Sequence, residues 1–495
     1  MLLASLVLFL VQGSVLLHTR WVEDENWYGA VAYSFHTTGE IRQPTFSDED
    51  IESKADPRPP AMALTVAAAY RFLGVGPVEA RIPSLLMSAG TVAVTFFIAS
   101  QLGGPLAGGL AALLVASDNF LFLAARTVRP EAGVTFWGAL AVALFLAAGR
   151  RGDSLWLGLF SGVAAGVCWD YHMNAIGVIL GIGVLVLYDG GFGFFRQRRF
   201  WAFSLGVVLA VSPFFWWIYS SEVNREAFAK LNSRGKTTGT QYLALFEKAR
   251  YADFLGIGSV RFGLGIPVPL RLHIVLGLAA AAVAVARWRE DIGWRLPLFC
   301  LPSLLLWTTE VNPTSRFFAI LAPVLATLLA VAGVEAWKRL EGRGRWLAAA
   351  ALAAIFVSQL AGNAIFLMRA RQADYRAVTA GLRNLIPQGE PVYGALTFWM
   401  ALHDSRDYKA FNRTPFTYVT ERGRANYLIL KDRVMLGGTG YGYNDHEELV
   451  RESARYVAEH ATLVGKVPDP FYGDLEVYRV NRPAAPAGRT QGAEQ

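Results

Sequence analysis

An adjacent pair of acids, Asp24-Glu25, follows directly on the first apolar run of the chain, and Tyr28 lies one helical turn further on. A carboxylate so placed is a general base for a hydroxyl or amine, provided its surroundings hold its pKa near the working pH. Four more polar features recur at the ends of apolar runs. They are Arg58-Pro-Pro60, Arg126-Thr-Val-Arg129-Pro-Glu131, Asp170-Tyr-His172-Met-Asn174 and Asn312-Pro-Thr-Ser-Arg316. Arginines make bidentate, charge-assisted bonds to phosphate. Acids beside such arginines at lipid-headgroup level suit group transfer from a lipid-linked phosphate. The candidates are therefore Asp24, Glu25 and Glu131 as catalytic acids, and Arg58, Arg126, Arg129 and Arg316 as phosphate ligands. Asp170, His172 and Tyr28 are further candidates.

Each has a plainer reading. Arginines flanking a span commonly snorkel to headgroups. Glu131 follows Pro130 at a helix start, where an acid is favoured by the dipole. His172 suits a packed, hydrogen-bonded boundary, and Asp118 near a span end is a weaker candidate. Gly235-Lys236-Thr237 lacks the spacing of a nucleotide-binding P-loop.

The elements that would position these groups are membrane helices. Over 495 residues, 54% are hydrophobic and only 17% charged, which marks an integral membrane protein. The runs reach the ~20 residues a spanning helix needs and lack the alternation of a barrel strand. Eleven spans are expected, at 2–17, 82–100, 103–121, 132–149, 154–169, 175–188, 200–219, 271–286, 296–309, 317–334 and 346–368. Short loops rich in basic residues (Arg150-Arg151, Arg196 to Arg199, Arg287 to Arg295, Lys338 to Arg345) alternate with loops that are not. The positive-inside bias places the first set in the cytoplasm. The N-terminus is then cytoplasmic, and all the candidate site residues face outward. The net charge of +7 is accounted for by these loops and gives no ground for nucleic-acid binding.

Residues 61–73 are apolar but short and contain Arg71, so they read as a helix in the outer interface; 24–37 read as a second. The long outer loop 220–270 is polar. Residues 369–482 read as an extracytoplasmic α/β domain, with strands near 391–396, 426–430 and 475–480 and an amphipathic helix over 445–460. The tail 483–495 has a disordered composition. Cys168 and Cys300 lie in apolar runs and offer neither a disulfide framework nor a metal spacing.

In its order of motifs the chain resembles the GT-C superfamily, of the protein O-mannosyltransferase and aminoarabinose-transferase type. The matching pieces are Asp24-Glu25, Arg58-Pro-Pro60, Glu79-Ala-Arg81-Ile-Pro83-Ser84, Arg126 to Glu131, and Ser315-Arg316 before a span with Pro323. They run through residues 1–370. The resemblance implies an all-α polytopic fold with an outer α/β domain, in the cell (plasma or inner) membrane. It implies inverting transfer of a sugar from a polyprenyl phosphate to an extracytoplasmic protein, lipid or polysaccharide acceptor. Asp24 matches the first-loop acid. Glu131 stands where relatives usually have aspartate, and Asp170-Tyr-His172 where they often carry a basic residue. No cofactor is required, though the acids could bind a divalent metal. The rival readings are a transporter or flippase of lipid-linked substrates and a lipid-sugar ligase. Transporters place ionisable groups near the midplane, whereas these gather at one rim.

Overall fold

The computed structural model describes residues 1–21, 23–234, 296–309, 319–411, 414–431 and 446–481. The span expected at 271–286, most of the loop 220–270, Arg316 and the tail from 483 lie outside the described residues. The chain divides into two compact units, one of Met1–Leu17 with Pro57–Arg369 and one of His18–Asp56 with Ala370–Gln495. The division therefore cuts through the first outer loop as well as following the last span.

The first unit is helical. It contains α1 (Leu2–Ser14), α3 (Ala61–Leu73), α4 (Pro77–Ser117), α5 (Asn119–Ala125), α6 (Glu131–Arg150), α7 (Leu155–Tyr171), α8 (Ile176–Gly190) and α9 (Arg198–Tyr219), then helices Glu222–Arg234, Leu296–Thr309, Ala322–Arg339 and Arg343–Ala370. Among the described residues, four stretches are long and apolar enough to cross a membrane: Pro77–Ser117, Pro130–Arg150, Arg198–Tyr219 and Arg343–Ala370. Leu2–Ser14, Ala61–Leu73 and Met173–Asp189 are shorter apolar helices. The protein is a membrane protein on this evidence of its helices.

The 41 residues of α4 are two arms and not one rod. Gly104 sits at φ 81°, ψ 177°, outside helical space, and Pro105 follows it. Only glycine enters that region readily, and proline then disfavours a helical conformation before it. The chain turns back so tightly that a Cβ on Gly108 would collide with Ser100. Residues eight apart on a straight helix would instead be about 12 Å apart. The expectation of separate helices at 82–100 and 103–121 agrees with this bend. α1 lies against both arms: Gly13 meets Leu85 on the first, while Met1 meets Gly109 on the second. It is thus antiparallel to one arm and parallel to the other, and its C-terminus shares an end with both outer ends of α4.

α7 packs on α9 through Gly158, Gly162 and Gly166, one turn apart. A Cβ on Gly162 would strike the Phe203 carbonyl oxygen, and one on Gly206 the Leu159 carbonyl oxygen. In lipid, where apolar surface alone does not drive helices together, such backbone contact supplies the packing. At this bundle's other end, Arg199 bonds Asp189 at 3.1 Å and Asp153 at 3.2 Å, and Arg150 bonds the Gln101 carbonyl.

The second unit is a mixed five-stranded sheet of order β2-β1-β3-β5-β4, with β1 Val392–Gly394, β2 Tyr408–Ala410, β3 Tyr427–Lys431, β4 Ala461–Val467 and β5 Leu475–Val480. β1 is parallel to β2 and β3, and β5 is antiparallel to β3 and β4. Helices Tyr375–Leu385 and His446–His460 pack with it. The first loop belongs to this unit. Its helix α2 (Glu23–Thr38) packs on Leu396–Leu402, with Tyr33 edge-on to Trp399 at 5.6 Å. The segment after α2 covers the outer edge of β2: Ala410 N–H donates to Thr45 O at 2.7 Å. Lys409 Nζ reaches Pro44 O at 3.3 Å and Asp48 at 3.2 Å. Covering an edge strand in this way removes its unpaired backbone groups from competition.

Candidate functional site

One cluster forms in the helical unit, where α6 begins and α7 ends. Glu131 opens α6 immediately after Pro130, a residue suited to a helix start whose following acid faces the positive end of the dipole. Arg129 lies in the turn before it and forks onto the carboxylate, with Nε at 3.1 and 3.2 Å from Oε1 and Oε2 and a second nitrogen at 3.1 Å from Oε1. The side chains are 13% and 4% exposed. This is a bidentate pair largely withdrawn from water, the geometry in which such bonds are strongest.

His172 ends α7 beside this pair. Its Nδ1 accepts the Asn174 N–H at 3.1 Å, which leaves Nε2 as the protonated, donating nitrogen of a neutral ring. Burial lowers its pKa most. Glu131 opposes this, and the Arg129 and Arg58 guanidiniums lower it further, from 6.5 to about 4. Three charged groups, Glu131, Arg129 and Arg58, are thus gathered round one imidazole. The sign of the linkage is that of a depressed group: the folded protein declines a proton which the unfolded chain accepts. Stability is full above 6.5, falls as pH drops towards 4, and levels beyond. Replacing His172 by glutamine is expected to flatten this slope. Thermal midpoints across that interval check it, and identical slopes in both proteins would refute it.

Neighbouring contacts fix the cluster's walls. Tyr171 Oη and Thr65 Oγ1 are 2.8 Å apart and join α7 to α3. A Cβ on Gly133 would run into the Tyr171 ring, so α6 admits that ring only because glycine stands there. Asp170 is half-buried in the last turn of α7, and its Oδ1 is buried and accepts no hydrogen bond among the described residues.

Arg126 lies elsewhere than its sequence neighbours suggest. It is 3% exposed and turns onto the C-terminus of α1, donating to Gly13 O at 3.1 Å, Leu16 O at 2.8 Å and Val15 O. Its guanidinium also lies over the rings of Phe122 and Phe366. Arg81 donates to Leu17 O at 2.5 Å. Arg126 thereby takes up Gly13 O, one of the last-turn carbonyls that α1 leaves without an intrahelical partner, and the two arginines together hold the carbonyls of the turn that follows. Asp118 accepts from Phe120 and Leu121 N–H, both at 2.9 Å, and is the N-cap of α5. These bonds hold Arg126 against the end of α1 and Asp118 at the start of α5. Reading from spacing also passed over a buried amide set: Gln12 Nε2 donates to Ala116 O at 2.6 Å, and Asn363 Nδ2 to Gln12 Oε1 at 3.0 Å. A glutamine inside an apolar run was the available signal, since intramembrane polar groups are retained for a reason.

The acidic pair belongs to the second unit. Asp24 and Glu25 lie in the first turn of α2 (Glu23–Thr38), favourably placed against its dipole. Asp24 is half-buried, Tyr28 likewise, and Glu25 only 1% exposed. Of the two acids, Asp24 is the one that retains contact with solvent. Among the described residues no three His, Cys, Asp or Glu side chains converge as a metal-binding set.

Residues 57–217 match the family model described as dolichyl-phosphate-mannose-protein mannosyltransferase. ArnT from Cupriavidus metallidurans, solved bound to undecaprenyl phosphate, superposes with a TM-score of 0.65 at 14% identity over 98% of each chain. The chain has the GT-C fold. Two structures from Archaeoglobus fulgidus share this GT-C fold. An oligosaccharyltransferase tethered to an acceptor peptide has a TM-score of 0.56 at 12% identity, covering 98% of this chain and 75% of that one. AglB, with an inhibitory peptide and a dolichol phosphate, has 0.52 at 12%, covering 86% and 69%. No curated protein matches at the level of sequence.

Proposed function

We propose that this protein is an inverting glycosyltransferase of the cell membrane, moving a sugar from a polyprenyl phosphate to an acceptor on the extracytoplasmic side. The single observation that carries the reading is the cluster of Arg58, Arg129, Glu131 and His172, gathered at one end of a helix bundle with the GT-C fold. Relatives in fold are solved with undecaprenyl phosphate and dolichol phosphate, which supports a ligand of that class here.

In this mechanism a hydroxyl or amine of the acceptor attacks the anomeric carbon. The new bond forms as the bond from that carbon to the phosphate oxygen breaks, and the polyprenyl phosphate departs with the electron pair. The acceptor's proton passes to the Asp24 carboxylate. Arg129 and Arg58 stabilise the charge that grows on the phosphate, and the His172 Nε2–H supplies a neutral donor. Glu131 holds Arg129 in one orientation and keeps the cluster from accumulating uncompensated positive charge. Arg316 is a further phosphate ligand in this proposal. The N-terminus is cytoplasmic, and the domain formed after residue 369 is extracytoplasmic.

Turnover of a panel of polyprenyl-phosphate sugars by purified protein in lipid vesicles tests the reading. Release of free polyprenyl phosphate from at least one of them is expected. Neither binding nor turnover of any would overturn it.

A further inference from the structure

The loop joining β4 to β5 grips the chain just ahead of the acidic pair. Asp469 organises the loop, its Oδ1 accepting the N–H groups of Phe471 and Tyr472 at 2.8 and 2.7 Å. The two aromatic residues so presented meet successive residues of the first loop. The Phe471 ring lies under the Arg20 guanidinium at 4.0 Å. The Tyr472 hydroxyl accepts the Trp21 N–H at 2.9 Å and donates to Trp21 O at 2.6 Å. One phenol thus satisfies both backbone polar groups of Trp21, which is itself wholly buried. Just upstream, Arg20 N–H donates to Ala373 O and Tyr375 N–H to His18 O, on either side of a Thr19–Asp374 bridge. The Tyr472 ring is held independently of its hydroxyl, edge-on to Phe398 at 5.3 Å and to Tyr375 at 6.5 Å.

The bonds made by Tyr472 end at Trp21, and Asp24 follows in the first turn of α2. Backbone that is clamped at residue 21 leaves this first turn little freedom to move. We infer that Tyr472 is a positioning residue for the acid at position 24, acting through the Trp21 backbone, and that the β4–β5 loop is the device which holds it. The inference rests on the reading of Asp24 as the base. It assigns the outer domain a part in the reaction that requires no contact with substrate. Misplacement of a reacting group by about 1 Å costs up to roughly 100-fold in rate.

Tyr472→Phe removes the hydroxyl and leaves the ring packing in place. The expected result is a fall in kcat of about 10-fold or more, with KM for the lipid-linked sugar unchanged and the thermal midpoint lowered by only a few degrees, the cost of two lost bonds to buried backbone. Hydrogen exchange should rise in peptides spanning residues 18–28 and nowhere else. Asp469→Ala should behave in the same way, whereas Asp469→Asn, which retains the accepting oxygen, should restore the wild-type rate. Wild-type kcat in a folded Tyr472→Phe protein overturns the inference. So does a loss carried entirely by KM, or one that only tracks the fraction of protein unfolded at the assay temperature. Absence of turnover in the wild type itself would instead strike at the parent reading.

Discussion

Asp24→Asn is expected to lower kcat for sugar transfer by roughly 10²–10⁴, the contribution of a positioned general base. The carboxamide preserves the size and most hydrogen bonding of the carboxylate but cannot take the acceptor's proton. Binding of polyprenyl phosphate should be unchanged, because the charges assigned to the phosphate are carried by arginines. Glu25 cannot substitute. It is 1% exposed, whereas Asp24 is half-buried, so only the latter is open to an incoming nucleophile. Single-turnover transfer from a radiolabelled donor, read beside equilibrium binding of the free lipid phosphate, separates the two effects. Transfer at the wild-type rate would remove Asp24 from the mechanism, and a loss confined to binding would reassign it.

Arg129→Ala should be felt twice. It strands Glu131, whose side chain is 4% exposed, and breaking one side of such a pair typically costs about 3–5 kcal/mol. It also removes a fork for the phosphate, and losing a charge-assisted bond is worth about 1.5–3 kcal/mol, or roughly 10- to 100-fold in donor affinity. The double change Arg129→Ala with Glu131→Gln separates these consequences. Neutralising the stranded acid should restore the thermal midpoint while leaving donor binding impaired. If binding recovers along with stability, Arg129 serves only Glu131 and the phosphate lies elsewhere.

The residues show why sequence reading reached as far as it did. Apolar runs and basic loops are local patterns, so the helices over 131–150, 155–171, 198–219 and 296–309 stood close to their expected positions. The helix over 61–73 likewise matched the expected range. Glu131 was legible because Pro130 announces a helix start. Its bond to Arg129 was not, because the pair forms only through the turn that ends at Pro130. Arg126 was legible as a candidate, but its contacts were not. Three residues from Arg129, it looks equally available to a phosphate, and nothing local reveals that α1 ends beside it with open carbonyls. In the sheet, β1 and β3 are largely apolar, and β5 keeps Leu475, Val477, Tyr478 and Val480 around Glu476 and Arg479. β2 is three residues long, and β4 is interrupted at Gly465, where the register shifts; both fell below what a pattern detects. The pairing of Thr45 with Ala410 joins parts of the chain too far apart for any local signal.

That last pairing bears on how such a chain is inherited. The segment after residue 369 is not a cassette. Without residues 18–56, the outer edge of β2 is bare, Lys409 loses its Asp48 partner and the Tyr472 hydroxyl loses both of its bonds. Exchange of the C-terminal portion alone between two such proteins would therefore deliver an unfinished domain. Recombination at residue 369 is penalised unless residues 18–56 travel with it, so these two segments are bound to a common history.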